Sequence, residues 1–478
     1  MSPAGAPGGT RGARPPARVD RPRRLAWEVL RAVDERGAYA NLLLPNLLAN
    51  SGLSVRDRGF VTELAYGALR SQGTLDGVLD TATNRPVAEI DPPVRDALRL
   101  GAYQLLRTRV PARAAVDSTV DLVRATSGER PVRFANAVLR RVAARIAETG
   151  GDLAALLGAP PFTADPIGHL AVVTAHPRWI VQAVVEALGD DVDEARAALA
   201  ADDDRPAVHV VARPGRLDRA SLLAEAEQAG LTARPGPYSP YAVRLDGGDP
   251  ARLPSVVSGA AAVQDEGSQL VALALADTAT VGPDRGLTVD LCAGPGGKAA
   301  MLAGLLAGPG ATGSLLAIEP RAARANLVAR SLRGAPRAWV ARGDGRAAPL
   351  APGGAARGLV DAPCTGLGAL RRRPEARWRR TPGDLAALVP LQSALLVAAL
   401  DLVRPGGVVA YATCSPHPAE TTEVVRRVAG QRPDVSVLDA TRALPTVDGL
   451  GAGPFAQLWP HRHGTDAMFL ALLRRCAD

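Results

Sequence analysis

The chain has 478 residues, 47% hydrophobic and 3% aromatic, with a formal net charge of +8. That length predicts two to four domains, with cores built from Leu, Val and Ala. Four cysteines in 478 residues exclude a disulfide framework, and none stands at metal-type spacing, so no metal is expected and a reducing cytoplasm fits.

Residues 1–20 are rich in Pro, Gly, Ala and Arg and read as a disordered basic arm without the apolar segment of a leader. Residues 21–150 read as an all-helical bundle. Apolar residues recur at three- and four-residue spacing over 25–30, 61–69, 94–106, 115–123 and 134–146, separated by short Pro- or Gly-containing breaks. The stretch 150–166, with Pro160-Pro161 inside it, reads as a linker. A small α/β subdomain is expected over 165–262, opening with helix over 167–200 and a strand at 207–212. From 263 to 478 strands and helices alternate. Strands are predicted at 287–291, 314–318, 338–342, 358–362, 407–413 and 468–473, and helices at 298–307, 321–332, 384–403 and 418–429. That alternation predicts a Rossmann-like, doubly wound α/β sheet. No membrane span is expected: 385–400 is 16 uncharged residues, interrupted by Pro390 and Gln392, too short for a bilayer.

Charge and chemistry gather at few places. Residues 1–24 carry six Arg and one Asp, and residues 371–380 six Arg and one Glu. Basicity confined to a tail and one internal cluster points to a polyanion met at defined places. Arg371, Arg372 and Arg373 are therefore candidate phosphate contacts. Of 56 basic residues, 55 are arginine and Lys298 is the sole lysine. A compact ammonium is wanted there, which the planar arginine fork does not replace.

Lys298 closes the turn Cys292-Ala293-Gly294-Pro295-Gly296-Gly297-Lys298, between a strand and a helix. Its glycines admit a ligand close to the backbone, and the helix N-terminus offers free N–H groups. The spacing is not that of a P-loop, and alanine follows the lysine, so no hydroxyl is available for magnesium. Nor is it the dinucleotide fingerprint. A nucleoside cofactor without phosphates remains, and S-adenosylmethionine fits best. Glu319, 22 residues past Gly297, stands where a ribose-hydroxyl partner is expected. Asp344 ends the third strand, where it could accept from an adenine amino group. Asp361 ends the fourth.

Cys292, Cys364 and Cys414 all follow strand-like runs, at the rim where open α/β sheets do their chemistry. Methylating C5 of a pyrimidine is hard because that carbon is weakly nucleophilic. A thiolate adding to C6 makes C5 carbanion-like and able to attack a sulfonium methyl. The chemistry wants a nucleophilic cysteine and is helped by a second thiol or a base. Cys364 and Cys414 offer such a pair, with Lys298 and the 371–380 arginines as cations to depress a thiol pKa. Cys292 is expected to line the cofactor turn, and Cys476 to be incidental.

Taken together, Asp290 to Lys298, Asp361-Ala362-Pro363-Cys364-Thr365-Gly366-Leu367-Gly368 and Tyr411-Ala412-Thr413-Cys414-Ser415 resemble the Sun/RsmB (Fmu) family of RNA cytosine-5 methyltransferases. Val263-Gln264-Asp265-Glu266-Gly267-Ser268-Gln269-Leu270, Gln392, Pro405-Gly406-Gly407 and Glu420/Glu423 extend the likeness. The helical region resembles a NusB-type RNA-binding domain through Asp57-Arg58, Tyr66-Gly67, Leu98 to Gln104 and Phe134 to Arg141. The resemblance implies that Cys414 attacks cytosine C6 and Cys364 helps release the product. It implies that Asp361 contacts the cytosine edge and the neighbourhood of the cofactor. Residues 292–298, Glu319 and Asp344 would hold S-adenosylmethionine. Members with a NusB-like domain act on 16S rRNA, so that RNA, free or within a small-subunit particle, is the implied substrate; separately, a monomer is expected. Three departures stand out: Thr365 where serine is commoner, Gly294 where alanine is commoner, and Asp202-Asp203-Asp204 where asparagines are usual. The competing readings are an RNA-binding scaffold with an inactive methyltransferase module, and a methyltransferase acting on DNA, another RNA or a small molecule.

Overall fold

Proline at the N-terminal turn starts two of the longest helices, Arg21–Arg36 and Pro92–Arg107, where its missing N–H costs nothing and its φ is already helical. The computed structural model describes residues 20–282, 286–308 and 313–476. The expected basic arm therefore lies almost wholly outside the described residues. The chain divides into two compact units, one ending at Ala175 and the other starting at His176.

The first unit is helical throughout. Arg21–Arg36 buries Ala26, Val29, Leu30 and Val33, one stripe at helical spacing. Val55–Arg70 is capped by Ser54, whose hydroxyl accepts from Asp57 N. It crosses Pro92–Arg107 where Gly67 leaves room for the Tyr103 ring. The Tyr103 hydroxyl donates to Glu63 at 2.5 Å. Asp96, fully buried, is held by Arg31 at 2.9 Å and Arg99 at 3.0 Å, and Arg99 also forks onto Asp76. Ala112–Ser127 and Val132–Thr149 complete the core. The predicted linker is not all irregular. Asp152 caps a short helix, Leu153–Leu157, whose Leu156 is buried in the same core; three leucines in five residues gain more by packing than by staying in solvent.

The second unit begins with helices Arg178–Ala187 and Val192–Ala201. Four strands follow, β1 (Val208–Ala212), β2 (Ala233–Pro235), β3 (Ala242–Leu245) and β4 (Ala261–Val263). They form an antiparallel sheet in the order β2-β3-β1-β4, backed by helix Arg219–Gln228 through Leu222 and Ala226.

The larger sheet holds β5 (Leu287–Asp290), β6 (Ser314–Ile318), β7 (Ala338–Ala341), β8 (Ala355–Asp361), β9 (Val403–Thr413), β10 (Val435–Leu438) and β12 (Phe469–Arg475), with β11 (Ala456–Gln457) attached to β12. Its order is β10-β12-β9-β8-β5-β6-β7. The pairs from β9 to β7 are parallel, while β12 lies antiparallel to both β9 and β10. The sheet is thus mixed rather than wholly parallel. The chain runs from β5 outward to β6 and β7, then returns to β8 on the other side. The carboxyl ends of β5 and β8 therefore flank a topological switch point, where such sheets bind ligands. Strands β10 and β11 were not legible, since β10 is four half-buried residues without alternation and β11 is only two residues long. β8 starts earlier than predicted because Arg357, a strand residue that breaks the apolar run, is buried and donates to Leu275 O and Thr278 O. Helix Gly383–Leu402 is long and apolar enough to cross a membrane by length and composition. Here Leu395, Leu396, Ala399 and Leu400 pack against Val360 and Val409 of β8 and β9.

Candidate active site

The Gly-rich turn leaves β5 at the switch point. Leu291 N donates to Leu359 O and Ala293 N to Ile318 O, so the turn is pinned to strands on both sides. Gly296 has φ +112°, and a Cβ there would come within 2.8 Å of Ser331 Cβ and 3.0 Å of Val328 Cα. Only glycine suits that position. At Gly294 a Cβ would collide with the Glu319 carboxylate. The departure from alanine therefore makes room for Glu319, which is buried, accepts from Arg321 N at 3.0 Å and faces Arg324 at 3.6 Å. Gln264, from the segment preceding the sheet, lies against Gly297.

Two buried acceptors beside the turn, Asp290 Oδ2 and Gln264 Oε1, have no hydrogen-bond partner among the described residues. Burial, with the neighbouring Asp361 charge, pushes the Asp290 carboxyl up to about 7. Unsatisfied buried acceptors and a cradle open only to glycine suit a small polar ligand carrying donors. Asp344 is exposed, caps the turn Gly345–Ala347 and pairs with Arg346, which draws its carboxyl down to about 2. It stands at the end of β7, as expected, but its carboxylate is shared with that arginine.

Lys298 does not project into open space. Its Nζ donates to Asp361 Oδ2 at 2.9 Å. Burial disfavours its charge, but the Asp361 carboxylate outweighs that and its pKa lies above the ordinary value. The lysine thus ties the cofactor turn to the end of β8.

The two expected thiols meet. β8 and β9 are parallel neighbours with Asp361 opposite Ala412, and Ala362 N donates to Ala412 O at 2.8 Å. The segments that follow emerge side by side, and the Sγ atoms of Cys364 and Cys414 stand 3.4 Å apart. The Cys414 thiol lies below its usual pKa. The hydrogen bond from Cys364 is the main cause, acting against burial and the Asp361 charge and helped by Arg373 and Lys298. The Cys364 thiol is pushed well up by the same contact and by burial. Cys292, half-buried and ringed by Asp290, Asp361 and Glu319, is also pushed up, by desolvation first and those charges second, which suits a lining role rather than a nucleophile.

A buried carboxylate holds the pair in place. Glu420 Oε1 accepts from Thr365 N at 2.8 Å and from Gln392 Nε2 at 3.0 Å, and its Oε2 accepts from the Thr365 hydroxyl. Thr365 Oγ1 lies 3.1 Å from Ser415 Oγ, and Gln392 Nε2 also reaches Pro363 O at 2.9 Å. The Tyr411 hydroxyl donates to Glu420 O at 2.7 Å. Threonine at 365 therefore supplies the hydroxyl that the commoner serine would supply. In the sequence Gln392 and Glu420 match the family pattern and carry no evident task. No spacing rule announces a buried carboxylate that joins two loops 50 residues apart. Trp179 and His417, whose rings lie 6.3 Å apart beside this segment, left no signal either.

The basic cluster is mostly turned inward. Arg371 is buried and donates to Thr465 O and Gly464 O. Arg372 reaches Asp265 at 2.7 Å and Asp466 at 2.9 Å. Arg377 is fully buried against Asp203 at 3.0 Å, which gives the unusual Asp202-Asp203-Asp204 turn a purpose: a buried guanidinium requires a carboxylate. Arg373 is exposed, and its charge reaches Cys414. The expectation of three phosphate-facing arginines thus narrows, since the side chains of Arg371 and Arg372 bind the protein's own acceptors.

A Gly-rich turn at a sheet switch point, acidic residues on the following strand ends and two thiols at the rim define a methyltransferase fold with a thiol-bearing site. Residues 280–474 match the 16S rRNA methyltransferase RsmB/F family, residues 20–144 the NusB family, and residues 176–251 the ferredoxin-like domain of RsmF/B-like methyltransferases. A Mycobacterium tuberculosis protein whose name goes no further than methyltransferase is 55% identical, covering 96% of this chain and 97% of that one. Ribosomal RNA small subunit methyltransferase B of Pseudomonas putida is 33% identical, covering 95% and 99%. In fold the chain is similar to the crystal structure of PH0851, with a TM-score of 0.76 at 22% identity, covering 97% of this chain and all of that one. It is also similar to NSun6 from Pyrococcus horikoshii, solved with SFG, at a TM-score of 0.53, 18% identity and 64% of this chain. The chain belongs to the RsmB/F family of 16S rRNA methyltransferases. Its fold is a NusB-like helical domain followed by a ferredoxin-like subdomain and a mixed-sheet methyltransferase domain.

Proposed function

We propose that the protein transfers the methyl group of S-adenosylmethionine to C5 of a cytosine in 16S rRNA through a covalent bond between Cys414 and the base. S-adenosylmethionine, when bound, supplies an electrophilic methyl. The turn 292–298, with Glu319 and Asp344, would hold it, and the partnerless acceptors of Asp290 and Gln264 would meet its donors. Cys414, the sulfur with the lowered pKa, adds to C6, and C5 gains the electron density to take the methyl. The C5 proton then passes to water at the open rim, its bonding pair re-forms the C5=C6 double bond, and the C6–S pair returns to Cys414 as thiolate, with the Cys364 sulfur placed to assist. Asp361, anchored by Lys298, accepts at the cytosine edge, and Arg373 faces phosphate beside the target. The base must leave its stack or lie in a single strand to reach the rim.

The observation that carries this reading is the 3.4 Å approach of the two sulfurs where the chain leaves the parallel neighbours β8 and β9. Its test uses 16S rRNA transcript and cofactor. Cys364→Ala should accumulate a protein–RNA adduct that survives denaturing electrophoresis, and Cys414→Ala should form none. Normal methylation by Cys414→Ala would end the proposal.

A further inference from the structure

Two thiols in contact at an open rim can react with each other as well as with a base. The Sγ atoms of Cys364 and Cys414 stand 3.4 Å apart, and both residues are half-buried. Among the described residues no other pair of cysteines is in such contact. A disulfide needs its sulfurs at about 2.0 Å, so closure asks for a shift of under about 1.5 Å, which rotation about the Cα–Cβ bonds can supply. The chains that carry the thiols are already fixed to one another. Ala362 N donates to Ala412 O at 2.8 Å ahead of them, and Gly368 N donates to Cys414 O at 2.9 Å beyond Cys364. Between these two bonds Thr365 Oγ1 lies 3.1 Å from Ser415 Oγ. The entropy cost of bringing together thiols 50 residues apart in sequence is therefore already met by the fold. A metal is the other common partner of paired thiols. Two sulfurs do not complete a zinc site, which wants four ligands or three and a water, and no group of three or more potential ligands gathers among the described residues.

We propose that Cys364 and Cys414 form a reversible oxidation site, in which peroxide joins them as a disulfide and switches methyl transfer off until a dithiol reduces the bond. The steps balance. The Cys414 thiolate attacks one peroxide oxygen, the O–O bond breaks, and the departing hydroxide takes the proton that Cys414 gave up and becomes water. Cys414 is then a sulfenic acid. The Cys364 sulfur attacks the Cys414 sulfur, the S–O bond breaks, and the second hydroxide leaves as water with the Cys364 proton. Two thiols and one peroxide give one disulfide and two waters, and the two electrons pass from sulfur to oxygen. A dithiol reverses the bond by exchange through a mixed disulfide. Cys364 thus gains a second task. A sulfenic acid with no partner goes on to sulfinic acid, which a dithiol does not reverse, so the neighbouring thiol keeps the oxidation recoverable. The switching rests on the reading of Cys414 as the nucleophile; the formation of the disulfide does not.

The test exposes the full chain to hydrogen peroxide, removes the peroxide with catalase and gives half of the sample dithiothreitol. Peptide mapping under non-reducing conditions should find the Cys364 and Cys414 peptides joined, and both thiols should resist iodoacetamide until dithiothreitol is added. Methylation of 16S rRNA transcript should fall by about tenfold or more, because an oxidised sulfur cannot add to C6, and should return with dithiothreitol. Cys364→Ala is read by adduct formation with the transcript, since its release step is impaired. After peroxide it should lose the adduct and not regain it in dithiothreitol, with Cys414 found as sulfinic or sulfonic acid. A merely structural Cys364 would leave Cys414 equally recoverable in both proteins, and that result would overturn the inference. So would free Cys364 and Cys414 thiols after peroxide, or a link through Cys292 instead, and either would leave the nucleophile reading standing. A joined pair with methylation undiminished would overturn the switch together with the reading of Cys414 as the nucleophile.

Discussion

The 3.4 Å contact with Cys364 holds the Cys414 thiol below its usual pKa, against burial and with help from Arg373 and Lys298. The sign of the pH effect follows. A thiol whose anion is stabilised reacts at lower pH, and removing the donor returns it toward its ordinary value. Alkylation by iodoacetamide, followed by mass spectrometry, should label Cys414 at lower pH than Cys364. In Cys364→Ala the Cys414 profile should move to higher pH, so its labelling rate at neutral pH falls; a profile that stays in place would show that the partner sulfur does not set it. Gly296 gives a second residue-scale expectation. Gly296→Ala forces a side chain onto φ +112° and against Val328, a strain of about 1–3 kcal/mol. Cofactor affinity by calorimetry should fall at least tenfold, while the helical unit keeps its circular-dichroism signal.

At the scale of elements, the site is made by two parallel strands and the acid that ties their exits together. Glu420 accepts from the Pro363–Thr365 segment and from helix Gly383–Leu402. Glu420→Ala leaves buried donors without an acceptor, a loss of about 2–4 kcal/mol. It should lower the melting temperature of the methyltransferase unit and reduce adduct formation more than it reduces cofactor binding. Equal losses in both would indicate general unfolding instead. The two thiol motifs and the glycine turn were legible as chemistry, since each carries residues with few other uses in that order. The clamp was not, because Glu420, Gln392 and Thr365 are ordinary residues whose meaning lies in a distance. The arginine cluster misled for a related reason. Charge counted along a chain does not say which way guanidiniums point, and Asp203, Asp265 and Asp466, which engage Arg377 and Arg372, are remote in sequence.

At the scale of the molecule, each unit has its own hydrophobic core, one from Ala26 to Leu156 and others confined to residues beyond 176. Ligand that binds only the second unit should stabilise only that unit. Scanning calorimetry with S-adenosylmethionine at a hundred times its Kd should raise the second unit's transition by the equivalent of about 2.7 kcal/mol. The transition of the helical unit, identified with residues 20–175 expressed alone, should stay where it was; a joint shift of both would show that they unfold as one.

Local rules were enough to determine much of this protein. Apolar periodicity set the helical bundle and the alternating strands, and the order of cysteines, glycines and acids along the rim set the reaction class. Those features depend on residues close in sequence, where spacing translates directly into a face or a turn. Tertiary structure alone decided the antiparallel place of β12, the neutralised arginines and the Glu420 clamp. Each depends on which distant groups come within a few ångströms, and burial makes such meetings decisive by removing the water that would otherwise satisfy or screen them.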